Sequence, residues 1–126
     1  MGVGGVVDDG AVASTSDVVD LAHQLPDVSH TDHDSYSRLQ VAGRTFGYLW
    51  EPTRTVGLRQ TLAEQLALVA ERPEVFEVQF TAGGFGWVVA HLHHVARDEL
   101  AELVFEAWRL TAPAVLVAER DDQLPS

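Results

Sequence analysis

Apolar residues recur with a helical period in three parts of this chain. A spacing of three and four residues predicts helices from about Asp17 to Pro26, from Thr61 to just before Pro73, and over about Arg97–Leu110. We expect the stripe of each helix to face a common core, with Trp108 and Leu103 at the centre of the last one. The stripe positions are Val18, Leu21, Ala22 and Leu25; Leu62, Leu66 and Val69; and Leu100, Leu103, Val104, Ala107 and Trp108.

Alternation of apolar and polar residues predicts five strands between these helices. In the fourth strand the alternation places Phe76, Val78 and Phe80 on one face. The polar segment 27–35 lacks this pattern and is interpreted as a loop. The five predicted strands are Tyr36–Val41, Thr45–Trp50, Arg54–Arg59, Val75–Phe80 and Trp87–Leu92.

The order of these elements predicts an α+β fold. The sequence is α-βββ-α-ββ-α, and the short connections favour hairpins, so we expect an antiparallel five-stranded sheet with helices packed on one face. Residues 16–118 would form this domain, after a flexible leader at 1–15 and before an acidic tail at 119–126. Residues 114–118 are interpreted as a short apolar segment that docks onto the domain.

The composition and charge of the chain exclude several classes of function. The 126 residues suffice for one domain with a real core, since 46% are hydrophobic. The chain has no cysteine, which excludes disulfides, a thiol nucleophile and cysteine-ligated zinc. No apolar run is long enough to span a bilayer, so we expect a cytoplasmic protein with no membrane partner. The net charge of −11 argues against binding duplex DNA through the surface as a whole.

The middle of the chain departs from this acidic balance. Segment 36–60 carries four arginines against one glutamate. Strand alternation places Arg38, Gln40, Thr55 and Arg59 on the face opposite the apolar side chains, and Arg44 lies at a hairpin tip. Guanidinium groups on such a face can bind phosphate or carboxylate. The alternative is an ordinary solvated sheet face.

Other candidate chemistry has a simpler interpretation in each case. Gly83–Gly86 lies between two strands and lacks the residues of a phosphate loop, so it predicts a hairpin turn. His91 and His93 alternate onto one side of a strand, within reach of one metal ion, but their spacing matches no known metal motif. No serine occupies a nucleophile elbow and no carboxylate pair is forced together. We therefore expect no enzymatic activity, no cofactor and no tightly bound metal.

Several short motifs, taken in order, resemble the MmcQ/YjbR family. No single motif is decisive, but their order and spacing together are fairly specific, and the similarity covers about residues 17–118. The matching pieces are Leu25-Pro26-Asp27-Val28, Leu39–Phe46, Leu58-Arg59, Pro73–Phe76, Gly86-Trp87-Val88, Glu99-Leu100 and Glu106–Pro113.

This resemblance implies a frataxin-like α+β fold, also called a double-wing fold, and a DNA-binding role. It supplies no catalytic residues. Three hypotheses follow: DNA binding through the 36–60 sheet face, with Arg38, Arg44 and Arg59 on the backbone; binding of a protein or small ligand on the same face; and frataxin-like metal binding. The oxygen ligands of the third would be Asp17, Asp20, Asp32 and Asp34.

Overall fold

The computed structural model describes residues 12–120 and 123–126. A short 3-10 turn, Leu92–His94, joins the last strand to the third helix. The helices are α1 (Thr15–His23), α2 (Leu62–Glu71), α3 (Arg97–Arg109) and α4 (Ala114–Arg120). The strands are β1 (Val28–Asp32), β2 (Ser37–Val41), β3 (Arg44–Trp50), β4 (Thr55–Thr61), β5 (Phe76–Ala82) and β6 (Phe85–His91).

The strands form one antiparallel sheet in the order β1-β2-β3-β4-β6-β5. The α+β class is confirmed, but the sheet has six strands and the prediction of five was wrong. The additional strand, β1, lies inside the predicted loop and pairs with β2 from Val28 opposite Val41 to Asp32 opposite Ser37. Its last four residues are exposed, so polar side chains occupy both of its faces and leave no alternation to recognise.

A β-bulge in β5 moves Phe80 to the other face of the sheet. Val78 lies opposite Val88, but Phe80 lies opposite Trp87, so Gln79 is an extra residue on β5. Phe76 is fully buried beneath the helices, whereas Phe80 stacks on Trp87 and is partly exposed. The prediction that Phe76, Val78 and Phe80 share one face was therefore wrong at Phe80, because a bulge shifts the alternation by one residue.

Helices α1 and α3 build most of the core against β2, β3 and β4. Ser14 caps α1 by accepting a hydrogen bond from the backbone N–H of Asp17, whose carboxylate accepts from the N–H of Ser14 in return. On α3, Leu100, Val104 and Trp108 are fully buried, as the helical stripe predicts. The Trp108 indole donates to the carbonyl of Pro26 at 3.0 Å, which fixes the end of the α1 segment over α3.

Helix α2 packs on the same side of the sheet through a polar residue. The buried amide of Gln65 donates to the carbonyl oxygens of Phe80 and Trp87, at 3.1 and 3.0 Å. Leu62 and Leu66 are exposed, so the predicted apolar stripe of α2 is wrong at these two positions. Arg72 and Glu99, 2.5 Å apart, then join the end of α2 to α3.

The ends of the domain differ slightly from the predicted boundaries. Ala13 is buried, and its N–H donates to the carbonyl of Val95, so the folded part begins before residue 16. Residues 1–11 of the predicted leader and residues 121–122 of the predicted tail lie outside the described residues. Helix α4 extends the predicted docking segment to Arg120. No helix in the described ranges is both long and apolar enough to cross a membrane.

Truncation of Leu100 should measure how much the α3 stripe contributes to folding. We expect Leu100→Ala to lower the free energy of unfolding by about 2–5 kcal/mol, because the side chain is fully buried. Leu66→Ala is the matched control, since Leu66 is 67% exposed, and should change it by less than about 0.5 kcal/mol. Urea denaturation checks both. Equal effects of the two substitutions would contradict this packing.

Candidate functional site

One face of the sheet is covered by helices, and the other, which we call the open face, carries no helix from residues 12–120 or 123–126. Strand register assigns side chains to it. Arg38 lies opposite Tyr48, which lies opposite Gly57, which in turn lies opposite Val89. All four alternate with buried residues of the helix side, such as Leu39 and Leu58. The predicted placement of Arg38 and Gln40 away from the apolar set is confirmed.

Aromatic side chains meet in a continuous row across the open face. The Tyr48 ring is the centre of this aromatic row, with its centroid 6.0 Å from Tyr36, 6.0 Å from Trp50 and 5.6 Å from Trp87. Phe80 continues the row, 5.1 Å from Trp87 and stacked on it. Trp87 is only 7% exposed, so it supports the neighbouring rings from below while they remain partly open to solvent.

Strand β4 carries a glycine on the open face, between the strands that bear Tyr48 and Trp87. Tyr48 and Trp87 belong to β3 and β6, which flank β4, so their rings must meet above it. Gly57 leaves space for the side chain of Gln79, the extra residue of the β5 bulge, because a Cβ at this position would lie 2.1 Å from Oε1 of Gln79. The absence of a side chain at Gly57 thus allows Gln79 to fold over the centre of the sheet.

The three predicted arginines occupy different positions on the sheet. The Arg59 guanidinium lies 3.9 Å from the centroid of the Phe85 ring and donates to the hydroxyl of Thr111 at 3.2 Å, so it ends at the rim of the face. Burial, and then the nearby charge of Arg44, lower the pKa of Arg59. Arg44 is exposed at the start of β3. Arg44 and Arg59 therefore form one cationic cluster, while Arg38 lies opposite Tyr48.

Three buried polar atoms of the described residues have no hydrogen-bond partner, and all belong to side chains of the open face. They are Nε of Arg38, Nε of Arg59 and Oε1 of Gln79. Unsatisfied buried polar atoms are rare in folded proteins and are concentrated at places with a function or with an unseen partner. All three atoms lie where a ligand or ordered water on this face could supply the missing partner.

The end of the sheet beyond Tyr36 is acidic. A groove of about 530 Å³ lies beside Tyr36, between the β1–β2 turn and the β3–β4 loop. Asp32, Asp34 and Glu51 contribute its carboxylates, and Ser37 donates to Asp32 at 2.7 Å. Strand β3 runs from Arg44 at the cationic end to Trp50 at this acidic end, so charge changes sign along the sheet.

Three of the four carboxylates considered as metal ligands have other partners. Asp17 and Asp20 both bind the Arg97 guanidinium, and Asp32 accepts from Ser37. Hydrogen bonding to Asp20, together with the charge of Asp17, raises the pKa of Arg97. Within the described residues, no three His, Cys, Asp or Glu side chains are arranged to hold a metal ion.

Sequence reasoning identified the arginines but missed the aromatic row. The signal was present, because Tyr48 and Trp50 alternate with the buried Leu49, and Trp87 precedes the buried Val88. What alternation cannot provide is register: it shows that these residues leave the core side, not that they lie next to one another. The glycine in the middle of β4 was the other signal.

Gly57 and Gln79 should be energetically coupled. We expect Gly57→Ala to destabilise the protein because its Cβ would displace the Gln79 side chain. In a Gln79→Ala background the same change should cost less, with a coupling energy of about 0.5–3 kcal/mol. Urea denaturation of the four proteins of this cycle measures the coupling. Strict additivity would show that the two side chains do not compete for this space.

Metal binding by His91 and His93 stays a prediction, with a weak outcome expected. Their ring centroids are 6.3 Å apart, and His91 already shares a hydrogen bond with Glu77. Calorimetric titration with zinc, nickel or ferrous iron should give no dissociation constant tighter than about 10 μM, weak beside structural zinc sites. A tight stoichiometric isotherm that is lost in His91→Ala would support the metal hypothesis instead.

Comparison with solved structures shows the fold. The crystal structure of Deinococcus radiodurans protein DR2400, a domain of the DUF419 family, is similar to this chain with a TM-score of 0.69 at 17% sequence identity. The similarity covers 79% of this chain and 78% of that one. No curated protein matches the sequence. At this identity the likeness extends to the fold and not to the function.

Comparison with family models shows the family. The YjbR model matches residues 23–110, which run from the last residue of α1 to the residue after α3. The matched segment contains all six strands, and with them the aromatic row and the three arginines. This chain belongs to the YjbR family.

Proposed function

We propose that this chain is a cytoplasmic, non-enzymatic domain that binds DNA on the open face of its sheet. The observation that carries the proposal is the presence of Arg38, Arg44 and Arg59 on or beside a face of partly exposed aromatic rings and unsatisfied polar atoms. In the double-wing interpretation, the β2–β3 hairpin is a wing with Arg44 at its tip. The metal-binding alternative has no comparable support.

Each arginine would have a distinct part in binding. Arg44 is exposed and free to follow a phosphate group, whereas Arg59 is oriented by Phe85 and Thr111 and offers a fixed guanidinium. Arg38 would contact the backbone between the aromatic rings. Contacts of this kind position a protein on DNA without reading its sequence. The proposed binding is therefore independent of sequence and sensitive to salt.

The acidic charge elsewhere would restrict DNA to this face. On the helix side, a groove of about 610 Å³ between α2 and α3 is lined by Glu64, Glu99, Glu102 and Glu106. A phosphate backbone is repelled there and attracted near the three arginines. The net charge of −11 also lowers the overall affinity, so we expect binding at low salt that weakens steeply as salt is added.

Removal of the open-face arginines tests this proposal. Fluorescence anisotropy of a labelled oligonucleotide, as duplex and as separate strands, is measured at several salt concentrations. Arg38→Ala, Arg44→Ala and Arg59→Ala should each weaken binding and flatten the slope of log affinity against log salt by about one unit. Arg109→Ala is the matched control: it removes the same charge from α3, where Arg109 binds Glu106, and should leave the slope unchanged.

Two results would contradict DNA binding. One is the absence of binding at low salt in either DNA form. The other is binding that ignores salt and is weakened no more by the open-face substitutions than by Arg109→Ala. Either result would favour the alternative, in which the same face binds a protein or a small ligand.

A further inference from the structure

We infer that the nucleic acid taken by the open face is an unpaired strand, whose bases stack on the aromatic row. This inference rests on the proposed function and specifies the form of its ligand. It is carried by the rings of Tyr36, Tyr48, Trp50 and Phe80, which remain partly exposed around the buried Trp87. Single-stranded binding proteins combine such rings with a positive groove, since every base has a face that can stack.

A duplex cannot use these rings, because its bases are stacked on one another and present only their edges. The rings also lie on a sheet face rather than on a projecting helix, and no helix of the described residues is positioned on this face to enter a groove. An unpaired strand can turn its bases towards the sheet while its phosphates meet Arg38. Only an unpaired strand would therefore bury the aromatic rings when it binds.

The extent of the row sets the length of strand that fits. Tyr36 immediately precedes β2 and Phe80 lies on β5, and the successive ring centroids from Tyr36 through Tyr48 and Trp87 to Phe80 are 6.0, 5.6 and 5.1 Å apart, so the row spans at most about 17 Å. An unpaired strand of about four nucleotides covers this distance, similar to the smallest sites of other single-strand binders. Affinity should therefore rise with strand length up to about four nucleotides and then change little per site.

The charge pattern also favours one backbone over two. Arg44 and Arg59 lie towards one end of the sheet, and Asp32, Asp34 and Glu51 lie around the groove at the other end. A single backbone can follow the arginines and avoid the carboxylates. A rigid duplex carries one phosphate for about every 1.7 Å of its axis, and it would place part of this charge against the acidic end.

The test compares thymidine oligonucleotides of two, four and eight residues with a duplex of the same length as the longest. We expect the tetranucleotide and octanucleotide to bind at least about tenfold more tightly than the duplex. Binding should also quench tryptophan fluorescence through Trp50 and Trp87, because Trp108 is fully buried in the core. Trp50→Phe should remove part of this quenching and retain most of the binding.

Truncated rings give the decisive comparison. Trp50→Ala and Phe80→Ala should each weaken binding of the octanucleotide by about tenfold, with a far smaller effect on the slope against salt. Leu66→Ala, which removes an exposed apolar side chain from α2, is the control and should bind as the unmodified protein does. Circular dichroism and thermal melting confirm that each variant is folded.

The outcomes separate this inference from the proposed function. A duplex that binds as tightly as the single strands, through the arginines, overturns the inference and leaves DNA binding in place. Unpaired strands that bind with no loss in Trp50→Ala and Phe80→Ala overturn it as well. If neither form binds at low salt, both proposals fail.

Discussion

The two-residue alternation of strand β4 is the constraint on which the rest of the structure depends. Val56, Leu58 and Gln60 point into the helix side, where the Gln60 amide donates to the carbonyl of Leu103 on α3. Gly57 and Arg59 point to the other side. This one strand thus contacts α3 on one side and, through Gly57, leaves space for the Gln79 side chain on the other, between the flanking strands that bear Tyr48 and Trp87. The same alternation along β4 therefore assigns residues to the core on one face of the sheet and to the candidate site on the other.

Local patterns were sufficient for the elements that bury a face on the helix side. The apolar stripe of α3 and the hairpin strands β2 and β3 follow from hydrophobic periodicity alone. Strand β1 was not predicted, because an edge strand with solvent on both faces needs no alternation of apolar and polar residues. The bulge at Gln79 was not predicted either, because the hydrophobic pattern does not show an extra residue. The bulge nevertheless determines which face of the sheet Phe80 occupies.

The candidate site could be predicted only in part, for a related reason. Alternation placed the side chains of Arg38 and Arg59 away from the core, because the pattern within one strand is enough to show which residues leave the core side. The aromatic row needs the order of five strands, since Phe80 and Tyr36 are far apart in sequence and join through Trp87 and Tyr48. The family match and the solved structure at 17% identity support the family and the fold. The chemistry of the open face must therefore be argued from this chain's own residues.

Arg97 joins parts of the chain that are distant in sequence. It binds Asp17 and Asp20 on α1, and it also donates to the carbonyl oxygen of Ser126 at 2.9 Å. The first helix and residue 126 are thereby held together beside α3, on the side of the sheet away from the aromatic row. A linker attached after Ser126 would leave the protein from the helix side, so a surface-tethered sample would still present its open face to the solution.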